Sequence, residues 1–261
     1  MKENFTKILT VCVLSVIGLT GLSAQISGME VMENVYNRPV GEAMSAELLM
    51  TITNSRGSTR ERSIVQYGLD AGDADKKIMF FAAPADVRDT SFMTWSWDDG
   101  RDDEQWIYLP ALRRVKRISS DSKNDSFMGS DFTYDDLGDR HPSEDSHKII
   151  GEESLKGEEC YVIESTPVKK GDAFSKTVSW IIKDKWLGLQ KEFHDKRGDV
   201  YKVLSIDKFE KIDGYWVVTD MLMEDSDRGS STRIEMNDVS FSVSLEEDFF
   251  SERQMRLGPK R

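Results

Sequence analysis

Cysteine is scarce in this chain, with two residues in 261. No disulfide framework can staple so sparse a set, so a hydrophobic core must carry the stability. Proline is nearly as rare, at six residues, and no Pro- or Gly-rich tract divides the chain into linked modules. Positive charge is short against negative, 35 to 47, giving a formal net charge of −12. Broad nucleic-acid binding needs a basic face that releases counterions, so that class is excluded. The histidines are His141, His147 and His194, without the paired spacings that hold a metal. There is no Gly-x-Ser-x-Gly elbow and no glycine loop of the kind that cradles phosphate. Ser130 lacks the strand–elbow–helix setting of a nucleophile, and carboxylate pairs are too numerous to single one out. Neither metal nor cofactor is therefore expected, and catalysis is not the first reading.

Long apolar runs are also missing, with one short exception at the start. Lys2 and Lys7 precede the apolar stretch Ile8–Leu19, and the small residues Gly21, Ser23 and Ala24 follow it. That order is the layout of an export signal cleaved after Ala24, and the run is short for a membrane span. Cys12 lies inside the run rather than after it, where a lipidation cysteine would stand. Cleavage would remove Cys12 and leave Cys160 alone in the strand-like Glu159–Ile163, as a buried structural thiol. It would also make the chain one unit more negative. The expectation is a signal peptide over 1–24 and one domain over 25–261, in the periplasm.

What the sequence has in quantity is alternation. After a Ser27-x-x-Glu30 capping box, Met29, Met32, Val35 and Tyr36 follow helical spacing until Pro39, predicting one short amphipathic helix. From there period two dominates. Ala46, Leu48, Met50 and Ile52 share one face, and Tyr215, Val217, Met221 and Met223 another. Turn signals at Asp98–Gly100, Lys196–Asp199, Asp213–Gly214 and Asp227–Gly229 favour antiparallel hairpins. The apolar phase slips between Ile234/Met236 and Val239/Phe241/Val243, which predicts a bulge. Roughly ten or eleven strands are expected. The acidic stretch Asp70–Asp75 reads as a solvated hairpin tip.

The least generic region is central. Trp95-Ser96-Trp97 and a turn precede WIYLPALRRVKRI (Trp106–Ile118), and DSFMGSDFTYDDL (Asp125–Leu137) follows a polar loop. This pair of motifs, in this order, resembles the LolA/LolB-like outer-membrane lipoprotein-sorting proteins, and in particular a branch associated with RND/MMPL-type exporters. The resemblance is sharp in the central third and extends as a pattern over the rest. It implies a mainly β (α+β) fold: a strongly curved antiparallel sheet, or incomplete β-barrel, capped by short helices. It also implies an apolar cavity for acyl chains of lipoproteins or another lipid, shuttled towards the outer membrane. The partners implied are such acyl chains and an RND/MMPL-type exporter or Lol-type machinery, the protein itself being a monomer. Each methylene shielded from water contributes about 0.8 kcal/mol, so such a carrier needs no covalent chemistry.

Site expectations follow from the same region. Trp95, Trp97, Trp106, Tyr108, Leu109, Phe132 and Tyr134 are candidates for the cavity wall, with an ordinary sheet core as the alternative for the aromatics. Phe127 and Met128, beside Gly129, form either a lid or a loop anchored in the core. Arg113, Arg114, Lys116 and Arg117 would meet an anionic headgroup or an acidic partner, or else pair with Asp131, Asp135 and Asp136 or remain solvated. Two other classes stay open: an accessory subunit of an exporter that binds protein rather than lipid, and a hydrolase of apolar substrates.

Overall fold

The computed structural model describes residues 26–260, so the expected signal segment lies outside the described residues. Thirteen strands form one antiparallel sheet: β1 (Ala43–Thr53), β2 (Thr59–Asp70), β3 (Ala74–Ala83), β4 (Ser91–Trp97), β5 (Glu104–Leu109), β6 (Arg114–Arg117), β7 (Asp145–Leu155), β8 (Glu158–Pro167), β9 (Lys176–Ile182), β10 (Leu187–His194), β11 (Val200–Ile212), β12 (Tyr215–Asp225) and β13 (Ser230–Ser240). Their order is β6-β5-β4-β3-β2-β1-β13-β12-β11-β10-β9-β8-β7. The sheet is thus two hairpin meanders joined where the first strand meets the last, and its edges, β6 and β7, stay unpaired with one another. Two or three strands more than the sequence suggested are present. The polar β7 and the four-residue, charge-rich β6 carry little of the alternation that marks a strand.

The sheet is strongly curved. β3 and β10 stand six places apart, roughly 29 Å in a flat sheet at 4.8 Å per strand. Yet Phe81 of β3 and Phe193 of β10 belong to one buried cluster with Phe127, Phe132 and Phe174. The segment 118–144, which links β6 to β7, supplies Phe127 and Phe132 and therefore crosses the inside of the curve. The expected phase slip is a bulge: Ser45 pairs with Ser240 but Glu47 with Asn237, and Asp238 takes φ +49°.

Helix α1 (Gly28–Tyr36) begins at the capping box, Ser27 Oγ accepting from Glu30 N at 3.2 Å and Ser27 N donating to Glu30 Oε2 at 2.7 Å. Its Val31 is fully buried against Ile163 and Ile181. A Cβ on Gly28 would stand 2.8 Å from the backbone of His147, so the helix lies on β7 at a distance only glycine permits. The chain after β13 runs to the opposite face of the sheet. There Phe250 and Met255, the latter in α2 (Glu252–Leu257), pack with Tyr67, Ile78, Phe80 and Met93. Among the described residues no helix is long and apolar enough to cross a membrane.

Candidate functional site

The inner face of the sheet follows from strand register. Ile52, Thr232, Met223, Leu204, Lys191, Ser179 and Ile163 are successive cross-strand partners from β1 to β8, so they form one row. In front of this row lies a cavity of about 510 Å³, within the usual range of ligand pockets. Phe132, Phe174, Phe193, Leu204 and Met223 make its apolar wall. Helix α1 closes one side with Met32, Val35 and Tyr36.

The remaining wall is polar and largely desolvated. Lys77 Nζ donates to Asp139 Oδ2 at 2.5 Å, and Lys202 Nζ to Asp136 Oδ2 at 2.8 Å. Arg140 holds Asp145 with two donors, at 2.7 and 2.9 Å, and Asp172 with a third at 2.9 Å. Burial opposes the Arg140 charge, but these carboxylates outweigh it and hold the guanidinium above its ordinary value. Burial also raises Asp75 to about 6 and Asp103 to about 7, with the neighbouring Asp139 charge adding to both. The carboxyl of Asp103 reaches over Gly138 into space that a Cβ would fill. The tip expected to be wholly solvated is therefore split. Gly72 and Asp73 are exposed, while Asp75 faces the cavity.

The predicted site residues fall into three groups. Phe127 and Phe132 are buried in the inner cluster, with Leu109, Met128 and Tyr134 packed against it, and Phe132 reaches the cavity wall. Phe127 packs on Phe92, Tyr134 and Phe81, with ring centroids 5.1, 5.6 and 5.9 Å apart. Met128 and Gly129 take φ +50° and +80°, and Ser130 N donates to Phe127 O at 2.9 Å, which defines a type I′ turn. Asp131, 3% exposed, pins this turn to β13. It accepts from Thr232 Oγ1 at 2.7 Å and Ser230 Oγ at 2.5 Å, while its N–H donates to Thr232 Oγ1 at 2.9 Å. The loop is thus anchored inside the curve by its tip.

Trp95, Trp106 and Tyr108 belong to the outer cluster beneath the C-terminal segment, not to the cavity wall. Strand alternation decides this: Phe92 and Ile107 take the inner phase, which sends Trp95, Trp106 and Tyr108 outward. Trp97 stacks edge-on to Trp95 and lies under Arg101 at 3.8 Å. Trp95 and Trp106 instead border an open depression beside residues 247–252, where Lys76 pairs with Glu247.

Arg113, Arg114, Lys116 and Arg117 occupy the β5–β6 hairpin and are exposed, next to Leu112 at 63% exposure. Arg117 pairs with Glu104 at 2.6 Å, whereas Arg113, Arg114 and Lys116 have no ion pair among the described residues. The acids considered for them are engaged elsewhere, Asp135 and Asp136 by Arg140 and Lys202 and Asp131 by β13. Sequence reasoning missed Lys77, Asp103, Asp139, Arg140 and Lys191. One signal was present: Lys77 is in phase with Met79 and Phe81, and Lys191 with Phe193. Cys160 is fully buried in β8, and burial raises its thiol. Among the described residues no group of three or more His, Cys, Asp or Glu is placed to hold a metal ion.

The curved, unclosed sheet with its two short helices is the LolA superfamily fold. A LolA superfamily protein from Nitrosomonas europaea superposes with a TM-score of 0.69 at 17% identity, over 88% of this chain and all of its own. Closer likeness is found to an outer membrane lipoprotein-sorting protein domain from Vibrio parahaemolyticus, 33% identical with a TM-score of 0.82 over 88% of this chain and 98% of that one. A DUF1329 family protein from Desulfovibrio piger is also 33% identical, with a TM-score of 0.81 over 87% of this chain and 97% of that one. A family model described as "Uncharacterized protein" matches residues 73–257. The chain belongs to this family of LolA-like outer membrane lipoprotein-sorting (DUF1329) proteins. No curated protein matches it.

Proposed function

We propose that the protein is an exported carrier that shelters acyl chains, of lipoproteins or of another lipid, in the cavity between α1 and the inner face of the sheet. The observation that carries this reading is the cavity itself: about 510 Å³, walled by Phe132, Phe174, Phe193, Leu204 and Met223. At about 0.8 kcal/mol per methylene, enclosure of ten carbons supplies about 8 kcal/mol, enough for reversible capture. Family membership supports the same reading. Residues 1–24 would be the export signal and 25–261 the periplasmic carrier, which intact mass of the exported protein checks directly. The test of function is organic extraction of the purified protein followed by mass spectrometry. Co-extracted acyl lipid that exchanges into delipidated protein is the expected result. Protein that is free of lipid and takes up none overturns the reading.

The exposed tip Leu112–Lys116 favours a role in docking. Arg113, Arg114 and Lys116 present three unpaired cations on an otherwise acidic protein, suited to anionic headgroups or an acidic patch on a donor or acceptor such as an RND/MMPL-type exporter. Reversing Arg114 and Lys116 to Glu should slow transfer to anionic acceptor vesicles several-fold and leave the amount of bound lipid unchanged. An accessory subunit that binds the exporter without lipid would instead lose exporter capture on this reversal, with no lipid bound at any stage.

A further inference from the structure

The inner row Ile52–Thr232–Met223–Leu204–Lys191–Ser179–Ile163 has one ionisable member, Lys191. Its side chain is partly buried and lines the cavity. Lys191 forms no ion pair and no side-chain hydrogen bond among the described residues; its Nζ lies over the Phe193 ring, 5.0 Å from the centroid. The contrast with its neighbour is direct. Lys202 Nζ lies 4.5 Å from the same ring and has Asp136 at 2.8 Å. Lys77 and Arg140 likewise have carboxylates of their own. The acids with most influence on Lys191, Asp136 and Asp145, are already engaged by Lys202 and Arg140. Arg38, the other cavity-lining cation without a carboxylate, gives a donor to the Trp216 carbonyl at 2.6 Å.

An ammonium drawn out of water is expensive unless a counter-charge of its own meets it, and burial pushes Lys191 below its ordinary value. A position between Leu204 and Phe193 that served packing alone would be better filled by Leu or Met. We propose that the cavity takes an acyl chain ending in an anionic head, a carboxylate or phosphate, and that Lys191 Nζ receives the head while the chain lies on Phe193, Leu204 and Met223. This rests on the carrier reading and specifies its cargo: a single-chain amphiphile with its charged end inside, rather than an esterified chain with its headgroup left in solvent.

The test compares cis-parinaric acid with its methyl ester, which share chain and fluorophore, on delipidated full-length exported protein at pH 7.4. The acid should bind about tenfold tighter than the ester, equivalent to about 1.4 kcal/mol. Lys191→Met should erase that preference while keeping ester affinity within about twofold, which also certifies that the variant folds. Lys191→Arg should restore the preference. Displacement of the probe by oleate and by oleoyl lysophosphatidate then tells carboxylate from phosphate, and competition by either that depends on Lys191 supports the proposal. Equal affinity for acid and ester in the native protein, or a preference that survives Lys191→Met, overturns it and leaves the carrier reading standing. Failure of both probes to bind overturns both.

Discussion

At the scale of single residues, the interior is organised by buried charge as much as by apolar contact. Asp131 shows it best, because one nearly inaccessible carboxylate satisfies Ser230 and Thr232 and so ties the central loop to β13. Asp131→Ala leaves those donors without an acceptor and should lower stability by about 3 kcal/mol, read as a fall in the urea midpoint at unchanged slope. A shift below about 0.5 kcal/mol would remove Asp131 from this role. Asp75 and Asp103 act in the opposite sense. Their carboxyls rise from 3.8 to about 6 and about 7 on folding, so the folded protein holds protons that the unfolded chain has released. Their contribution is fully present below about pH 4 and is lost as pH rises through 6 and 7. Asp103→Asn removes one of these groups. The melting temperature of the variant relative to native protein should therefore climb by a few degrees between pH 5 and pH 8, and a constant difference would contradict the assignment.

At the scale of elements, α1 is the piece whose position matters most to the cavity. Ser27 and Glu30 announce its start, and both capping bonds form. Nothing local announces where it sits, which depends on Gly28 meeting the backbone of His147 and Lys148, more than 110 residues away in the chain. Gly28→Ala should lift α1 from β7, lower the melting temperature and speed hydrogen exchange in α1 and β7 while sparing β1 and β13. Uniform exchange throughout would argue that the helix is not seated by this contact. The strands divide in the same way. β1 was legible because Ala46, Leu48, Met50 and Ile52 alternate cleanly, and all four are buried. β6 was not legible, because Arg114, Lys116 and Arg117 point to solvent and only its pairing with β5 makes it a strand. The Phe127–Ser130 turn had a visible cue in Gly129, but its anchorage needed Asp131 and Thr232 to meet across 101 positions.

At the scale of the whole molecule, curvature makes the site. The two meanders meet at β1–β13, and the long crossing between β6 and β7 fills part of the space the sheet encloses. What remains unfilled is the cavity, so it can be closed artificially. Leu204→Trp, on the inner row where the side chain is only partly buried and lines the cavity, should reduce co-purified lipid several-fold while leaving the melting temperature within about 3 °C, since the added bulk has the cavity to enter. Undiminished lipid uptake by a folded Leu204→Trp protein would place the cargo elsewhere. The depression beside Trp95 and Trp106 would then be the next place to look.

The shortage of cysteine, the acidic balance and the long alternation of apolar residues determined by themselves that this is a β-rich, core-stabilised protein made of antiparallel hairpins. Those properties are local: pleat, turn and cap chemistry act over two to four residues, and each leaves its mark in the order of the letters. Which face of each hairpin would turn inward was decided only by the closing curve of the sheet. Trp95 and Trp106, which the sequence left as either cavity wall or sheet core, lie in the outer cluster under the C-terminal segment. Lys77 and Lys191, passed over in the sequence, line the cavity. In sequence, alternation states only that two faces differ. Burial, and with it the energy of every charge, is set by what the far ends of the chain bring to each face.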